Sequence, residues 1–248
     1  KSIFAFRSGL VYTPFQKTSV RFLFGQAFRE PNIFELGASS VNNVVNELNP
    51  VKMNTFEVGI NHSFTSNLIT NIVAYKNTAT NFIEPTETGG FINSDNVINV
   101  FGIESQLFYK TGKIRSEISY SYVKKDADYY AGVNTVNLGV YPHRMTGGLT
   151  CYLTDNFTLN SRINYYSEIK AKHGNKDVTE IITIPSYSKV DLTFSYVKIK
   201  VYDAEITTQL LVTNVFTSQF YQPNVRIGGP KEFLQHGRQL FCNLIVKF

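Results

Sequence analysis

The chain has 248 residues, 43% of them hydrophobic, and a formal net charge of +5. No apolar run approaches the ~20 residues of a membrane-spanning helix, and the charge is scattered, without the basic stripe of a nucleic-acid binder. Two cysteines, Cys151 and Cys242, and four dispersed histidines show no metal-ligand spacing, so neither a metal nor a cofactor is expected.

The order of residues carries more than their totals. A first strand is expected over about residues 3–13, with Phe4, Phe6, Leu10 and Tyr12 on one face and Arg7 and Gly9 on the other. Residues 13–17 read as a turn. A second strand, about 18–28, sets Val20, Phe22, Phe24 and Phe28 against Arg21 and Gly25. After a long polar segment (29–52), the third sets Phe56, Val58 and Ile60 against Glu57, Gly59 and Asn61. The fourth, about 67–79, is blurred. The fifth, about 97–110, opposes Ile103, Leu107 and Tyr109 to Glu104 and Gln106. The sixth opposes Ile114, Ile118, Tyr120 and Tyr122 to Arg115, Glu117 and Ser119.

The seventh carries Met145, Leu149 and Cys151 against Arg144, Thr146 and Thr150. The eighth carries Leu159, Ile163 and Tyr165 against Asn160, Arg162 and Asn164. The ninth has Val190, Leu192 and Phe194 against Asp191 and Thr193; the tenth has Ile206, Leu210 and Val212 against Glu205 and Gln209. The last ends the chain, with Leu240, Cys242, Leu244, Val246 and Phe248 on one parity. A period of two means one oily and one polar face on each strand. Both cysteines fall on the oily parity and read as small hydrophobes rather than a disulfide.

Two regularities separate this from a soluble sandwich. Connections alternate short (13–17, 65–67, 111–113, 154–156, near 202) and long, as in outer-membrane barrels, with short periplasmic turns and long external loops. Charges sit mainly on the polar parity, where a lipid-facing charge at the midplane would cost about 2–4 kcal/mol. The expected class is all-β: an antiparallel transmembrane β-barrel. Eleven strands are an odd number, whereas bacterial single-chain barrels are even. An open sheet in lipid leaves unpaired edges. The chain therefore reads as the C-terminal half of a barrel of about 22 strands, the size of plugged transporters, and residues 3–13 should not pair with residues 239–248.

The order of short motifs adds a resemblance. Phe28-Arg29-Glu30-Pro31, Asn49-Pro50 and Glu57-Val58-Gly59 are followed by Gly102 with Glu104, then Pro142-His143-Arg144. Asn214-Val215-Phe216 with Tyr221, and a terminal Phe248, complete the order. Together they resemble the barrel segment of TonB-dependent outer-membrane receptors. The resemblance implies import of a scarce nutrient, such as an iron–siderophore complex, haem or cobalamin, across a Gram-negative outer membrane. It implies a plug domain, outside residues 1–248, through which the TonB complex acts. It also implies recognition of the last strand and Phe248 by the barrel assembly machinery. No histidine lies between Pro31 and Leu48, which lowers haem.

Candidate ligand contacts in the outer loops are Arg29, Tyr129, Tyr130, His173, Phe220, Tyr221 and Arg226. Aromatics there can grip a flat ligand, or simply pack the loops. His173, among Lys170, Lys172 and Lys176, can attract an anionic iron chelate or a lipopolysaccharide phosphate, or be plain solvated loop. Arg29 and Glu57 can form a binding pair or part of a wall network. A passive porin shares the barrel but gives no reason for the ordered motifs. A barrel hydrolase would need a base beside a nucleophile, and no histidine has such a partner at matched depth, so an enzyme is not expected.

Overall fold

The computed structural model describes residues 4–41, 48–86, 89–126, 128–130, 133–135, 139–174, 179–224 and 230–248. Eleven long strands form one antiparallel sheet in sequence order. They are β1 (Arg7–Phe15), β2 (Thr18–Arg29), β3 (Val51–Ser63), β4 (Leu68–Thr80), β5 (Ile98–Lys110) and β6 (Ile114–Lys125). β7 (His143–Tyr152), β8 (Phe157–Tyr166), β9 (Tyr187–Val201), β10 (Ala204–Thr213) and β11 (Gln239–Lys247) complete it. Because consecutive strands alternate in direction, every short turn lies at one end of the sheet and every long connection at the other.

Three of the five short turns have a shared local cause. The hydroxyls of Thr65, Thr111 and Thr154 each accept backbone N–H bonds from the residues two and three positions on, at 3.0–3.3 Å. Threonine thus makes the turn with its own side chain. The first turn differs from expectation. β1 continues to Phe15, with a register shift between Tyr12 and Phe15, and the chain reverses at Gln16 and Lys17.

Ladder rows sort the two faces. Ile114, Cys151, Leu159, Phe194, Leu210 and Cys242 stand opposite one another in one row across six strands. Leu149, Leu192 and Leu240 lie in the neighbouring row, and Leu244 shares their face. The opposite face carries the row Ser19, Asn61, Asn71, Gln106, Ser119, Thr146, Asn164 and Lys189. Arg144, Arg162, Asp191, Glu205 and Gln209 share that face. The cysteines are free.

The apolar face is not packed against anything. Leu10, Leu240 and Leu244 are 62–67% exposed, and such a continuous oily surface is what lipid covers. Only β2 flanks β1 and only β10 flanks β11, so the sheet is open. Its first and last strands do not pair.

Four long connections contain short hairpins where the sequence suggests irregular loop: 83–85 with 91–93, 128–130 with 133–135, 169–174 with 179–184, and 221–223 with 232–234. The first long connection contains a helix, α1 (Ile33–Val41).

Candidate functional site

The chemistry of this chain gathers at the long-connection end of the polar face. The first connection is fixed by Arg29, the last residue of β2. Its guanidinium grips both carboxylate oxygens of Glu35, at 2.9 and 3.1 Å. Asn32 caps α1: its side chain accepts the Glu35 N–H at 2.8 Å, and its own N–H reaches the Glu35 carboxylate at 2.7 Å. This is a reciprocal capping box with arginine added. The Arg29 hydrogen bond, foremost, holds the buried Glu35 carboxyl below its ordinary range. Arg29 thus anchors the loop through Glu35. Glu57 is bound by Arg21 at 3.1 Å instead.

The second connection is tied to the first. The Asn93 carboxamide accepts the Asn49 N–H at 2.6 Å and donates to the carbonyls of Asn49 and Asn81 at 2.8 and 2.9 Å. Phe34 meets Phe91 edge-on at 5.7 Å. A cavity of about 750 Å³ opens nearby, lined by Phe4, Ala5, Phe28 and Pro50. It lies against the free edge at β1, where a further strand must pair, so it does not qualify as a ligand site.

The remaining connections build a more enclosed corner. The rings of Tyr166 and Tyr187 stack at 4.9 Å, and Phe220 stacks on Tyr187 at 4.7 Å. Arg144 lies over the Tyr166 ring, 5.3 Å from its centre, a cation–π contact. Arg144, Tyr166 and Tyr187 occupy one row of the polar face. Tyr141 meets both tyrosines edge-on. Beside them Ile169, Ala171, Ile182 and Ile184 form a small buried core, with Tyr141 and Tyr221 against it. The result is a ladder of an arginine and three aromatic rings at the mouth of the polar face, braced by a folded hairpin.

Asn214 closes β10 beside this corner. It is 2% exposed with φ of 50°. Its N–H donates to Asp191 at 2.8 Å, and its carboxamide both donates to the Ser218 carbonyl and accepts the Ser218 N–H. Asparagine tolerates this backbone shape and satisfies the turn with its side chain.

The expected contacts are therefore distributed. Arg29 is committed to α1, Phe220 joins the ladder, and Tyr221 packs the loop core. Tyr129 and Tyr130 lie on the 128–130 strand and His173 pairs with Glu180 in the backbone ladder; their side chains, and all of Arg226, lie outside the described residues. Phe248 ends the chain, 96% exposed. Tyr141, Tyr166 and Tyr187, which complete this corner, are not among the contacts expected from the sequence. The signal was present: Tyr166 ends one polar parity and Tyr187 begins the next, so the fold places them opposite.

The profile of the family described as TonB dependent receptor-like, beta-barrel, matches residues 1–215. No curated sequence matches. Among solved structures, the fold is similar to the ferric citrate transporter FecA, with TM-score 0.78, 14% identity, and 98% of this chain over 38% of that one. It is similar to the ferripyoverdine receptor of the Pseudomonas aeruginosa outer membrane, with TM-score 0.74, 17% identity, and 96% over 32%. It is likewise similar to the FrpB iron transporter from Neisseria meningitidis, with TM-score 0.73, 15% identity, and 97% over 38%. The chain thus spans between 32% and 38% of each of these proteins.

Proposed function

The chain belongs to the TonB-dependent receptor-like β-barrel family, and from that premise we propose that it is the C-terminal part of an energised importer of a small metal chelate in a Gram-negative outer membrane. The observation that carries the reading is the family match over residues 1–215 of an open eleven-stranded sheet. Eleven further strands and a plug would complete a 22-stranded barrel, with the TonB complex acting through the plug. The last strand, ending at Phe248, would be the segment read by the assembly machinery. Members of this family are transporters and receptors, not enzymes.

The substrate class is an iron chelate of the siderophore type. Three solved neighbours with this fold handle iron or iron chelates by their own descriptions. In this chain, the Arg144–Tyr166–Tyr187–Phe220 ladder offers a cation beside aromatic rings at the mouth of the polar wall, which suits an anionic chelate with planar ligand groups. The loop residues Tyr129, Tyr130, His173 and Arg226 would join it from above. Haem is disfavoured by the first connection, where residues 31–48 hold no histidine.

Uptake of a labelled ferric chelate by cells producing the full-length receptor, with and without TonB, tests the reading. Accumulation should require TonB. Flux that ignores TonB and follows the gradient would instead make the protein a passive channel.

A further inference from the structure

Among the described residues of the eleven long strands, every carboxylate side chain falls on the polar face. Setting histidine aside, the apolar face carries charge at three positions: Lys52, Lys76 and Lys124. All three are exposed. They share a depth. Lys76 stands eight residues beyond Leu68 at the start of β4, Lys124 ten beyond Ile114 at the start of β6, and Lys52 eleven before Ser63 at the end of β3. A tilted strand crosses the hydrocarbon in about 9–11 residues, so the lysines stand at the outer-leaflet boundary. A cation is well tolerated there and penalised at the midplane. Tolerance alone would admit acids on the apolar face of the long strands too, and none occurs there.

Two of these lysines are placed together. Lys76, Phe101 and Lys124 are direct cross-strand partners in one row over β4, β5 and β6. Two strand spacings separate the lysines, about 10 Å between backbones. A recess of about 290 Å³ lies between them, lined also by Asn99 and Asp126. The Asn99 carboxamide oxygen accepts the Thr78 hydroxyl at 2.9 Å, which leaves its NH2 group as a donor. Asp126 follows β6 on the loop side, so the two ammonium groups outnumber the one acid. Phe101, 42% exposed, supplies an apolar floor.

We propose that Lys76 and Lys124, flanking Phe101 on the lipid-facing wall, form a binding site for the phosphate of an outer-leaflet lipid headgroup. The ammonium groups and the Asn99 amide face the phosphate, and Phe101 lies against the first apolar atoms below it. Lys52 adds attraction from higher on the neighbouring strand. This rests on the outer-membrane assignment but not on any particular cargo.

The test uses the full-length receptor in detergent, titrated with a phosphorylated outer-leaflet glycolipid and read by native mass spectrometry. Each basic group beside an anionic lipid surface is worth roughly five-fold in binding, so Lys76→Gln with Lys124→Gln should weaken retention roughly 25-fold. Lys113→Gln, at a short turn on the other side of the membrane, should leave it unchanged. The dephosphorylated lipid should bind wild type no better than the phosphorylated lipid binds the double variant. Equal retention by wild type and double variant would reduce the lysines to general interfacial anchors and overturn the site. So would displacement of the lipid by millimolar inorganic phosphate, which would mark a free-ion site. Heat-modifiable migration on gels verifies that the variants are folded. Ferric-chelate uptake on the same variants separates the two claims, since uptake should persist when the lipid is lost.

Discussion

At the scale of single residues, several motif positions have a local mechanical reason. Gly59 and Gly102 are required for close approach: a Cβ at Gly102 would lie 2.2 Å from the Tyr75 ring, and one at Gly59 would lie 2.7 Å from Arg21 Nε. Arg21 and Tyr75 therefore lie flat over bare backbone and keep the polar wall low. Gly102→Ala should cost about 1–3 kcal/mol, as overpacking does, measured by urea unfolding of the full-length barrel. Adding Tyr75→Ala should recover much of that loss, and a double variant no more stable than Gly102→Ala would refute the contact. Glu35 gives a pH prediction. Its folded-state pKa is depressed, so its stabilisation of the first connection is complete above the ordinary carboxylate range. It is lost as pH falls through the lowered value. Amide exchange over α1 should stay slow down to that range and quicken at more acid pH. Glu35→Gln should quicken it at neutral pH, by about 1 kcal/mol, because the Arg29 partner is half exposed and screened.

Elements divide into those legible in the sequence and those hidden from it. The strands were legible because their side-chain alternation is imposed by two different solvents, as in the row from Ile114 to Cys242. Even β4 pairs over its whole length despite a weak pattern: Ile69 and Val73 lie on the polar face, while Thr70 and Lys76 lie on the apolar one. The helix α1 was not expected, although Asn32 and Glu35 stand at capping-box spacing; the polar stretch around it has no amphipathic repeat to mark its length. The loop hairpins escaped for another reason. Ile182 and Ile184 find their partners in Tyr141 and Tyr221, far away in the chain, and no local period records that. The aromatic ladder was half legible: Phe220 was named as a loop aromatic, but stacking with Tyr187 depends on register across β8, β9 and the last connection. Ile184 is 0% exposed, so Ile184→Ala should cost this corner about 2–4 kcal/mol. Protease cutting within residues 169–184 should rise while the urea midpoint of the wall stays fixed. A lowered midpoint would mean that the corner and wall unfold as one.

For the whole molecule, the decisive feature is the missing closure. Eleven strands leave β1 and β11 pointing the same way, each with one edge unpaired. In hydrocarbon each unsatisfied backbone group costs several kcal/mol, so further strands must seal both edges. Residues 1–248 produced alone with bilayers should give no heat-modifiable barrel. Production together with the remaining strands should restore one, and a stable barrel from residues 1–248 alone would defeat the half-barrel reading. The sequence foretold this by counting, because strand number and direction survive boundary errors such as the one at β1. It did not foretell the lysines of the apolar face, whose meaning depends on depth in the sheet.

The threonine turns also bear on how the sheet comes into being and apart. Five pairs, β1–β2 through β9–β10, are closed by turns of two to four residues, so each can zip as a hairpin on the microsecond scale. β11 is different: it reaches β10 only across residues 214–238, and a longer loop costs more entropy to close. It is the one strand here without a hairpin twin. Pulled from its C-terminus in a single-molecule experiment, the receptor should surrender β11 by itself and then yield in two-strand steps, each force peak marking one hairpin closed by a short turn, three of them threonine turns.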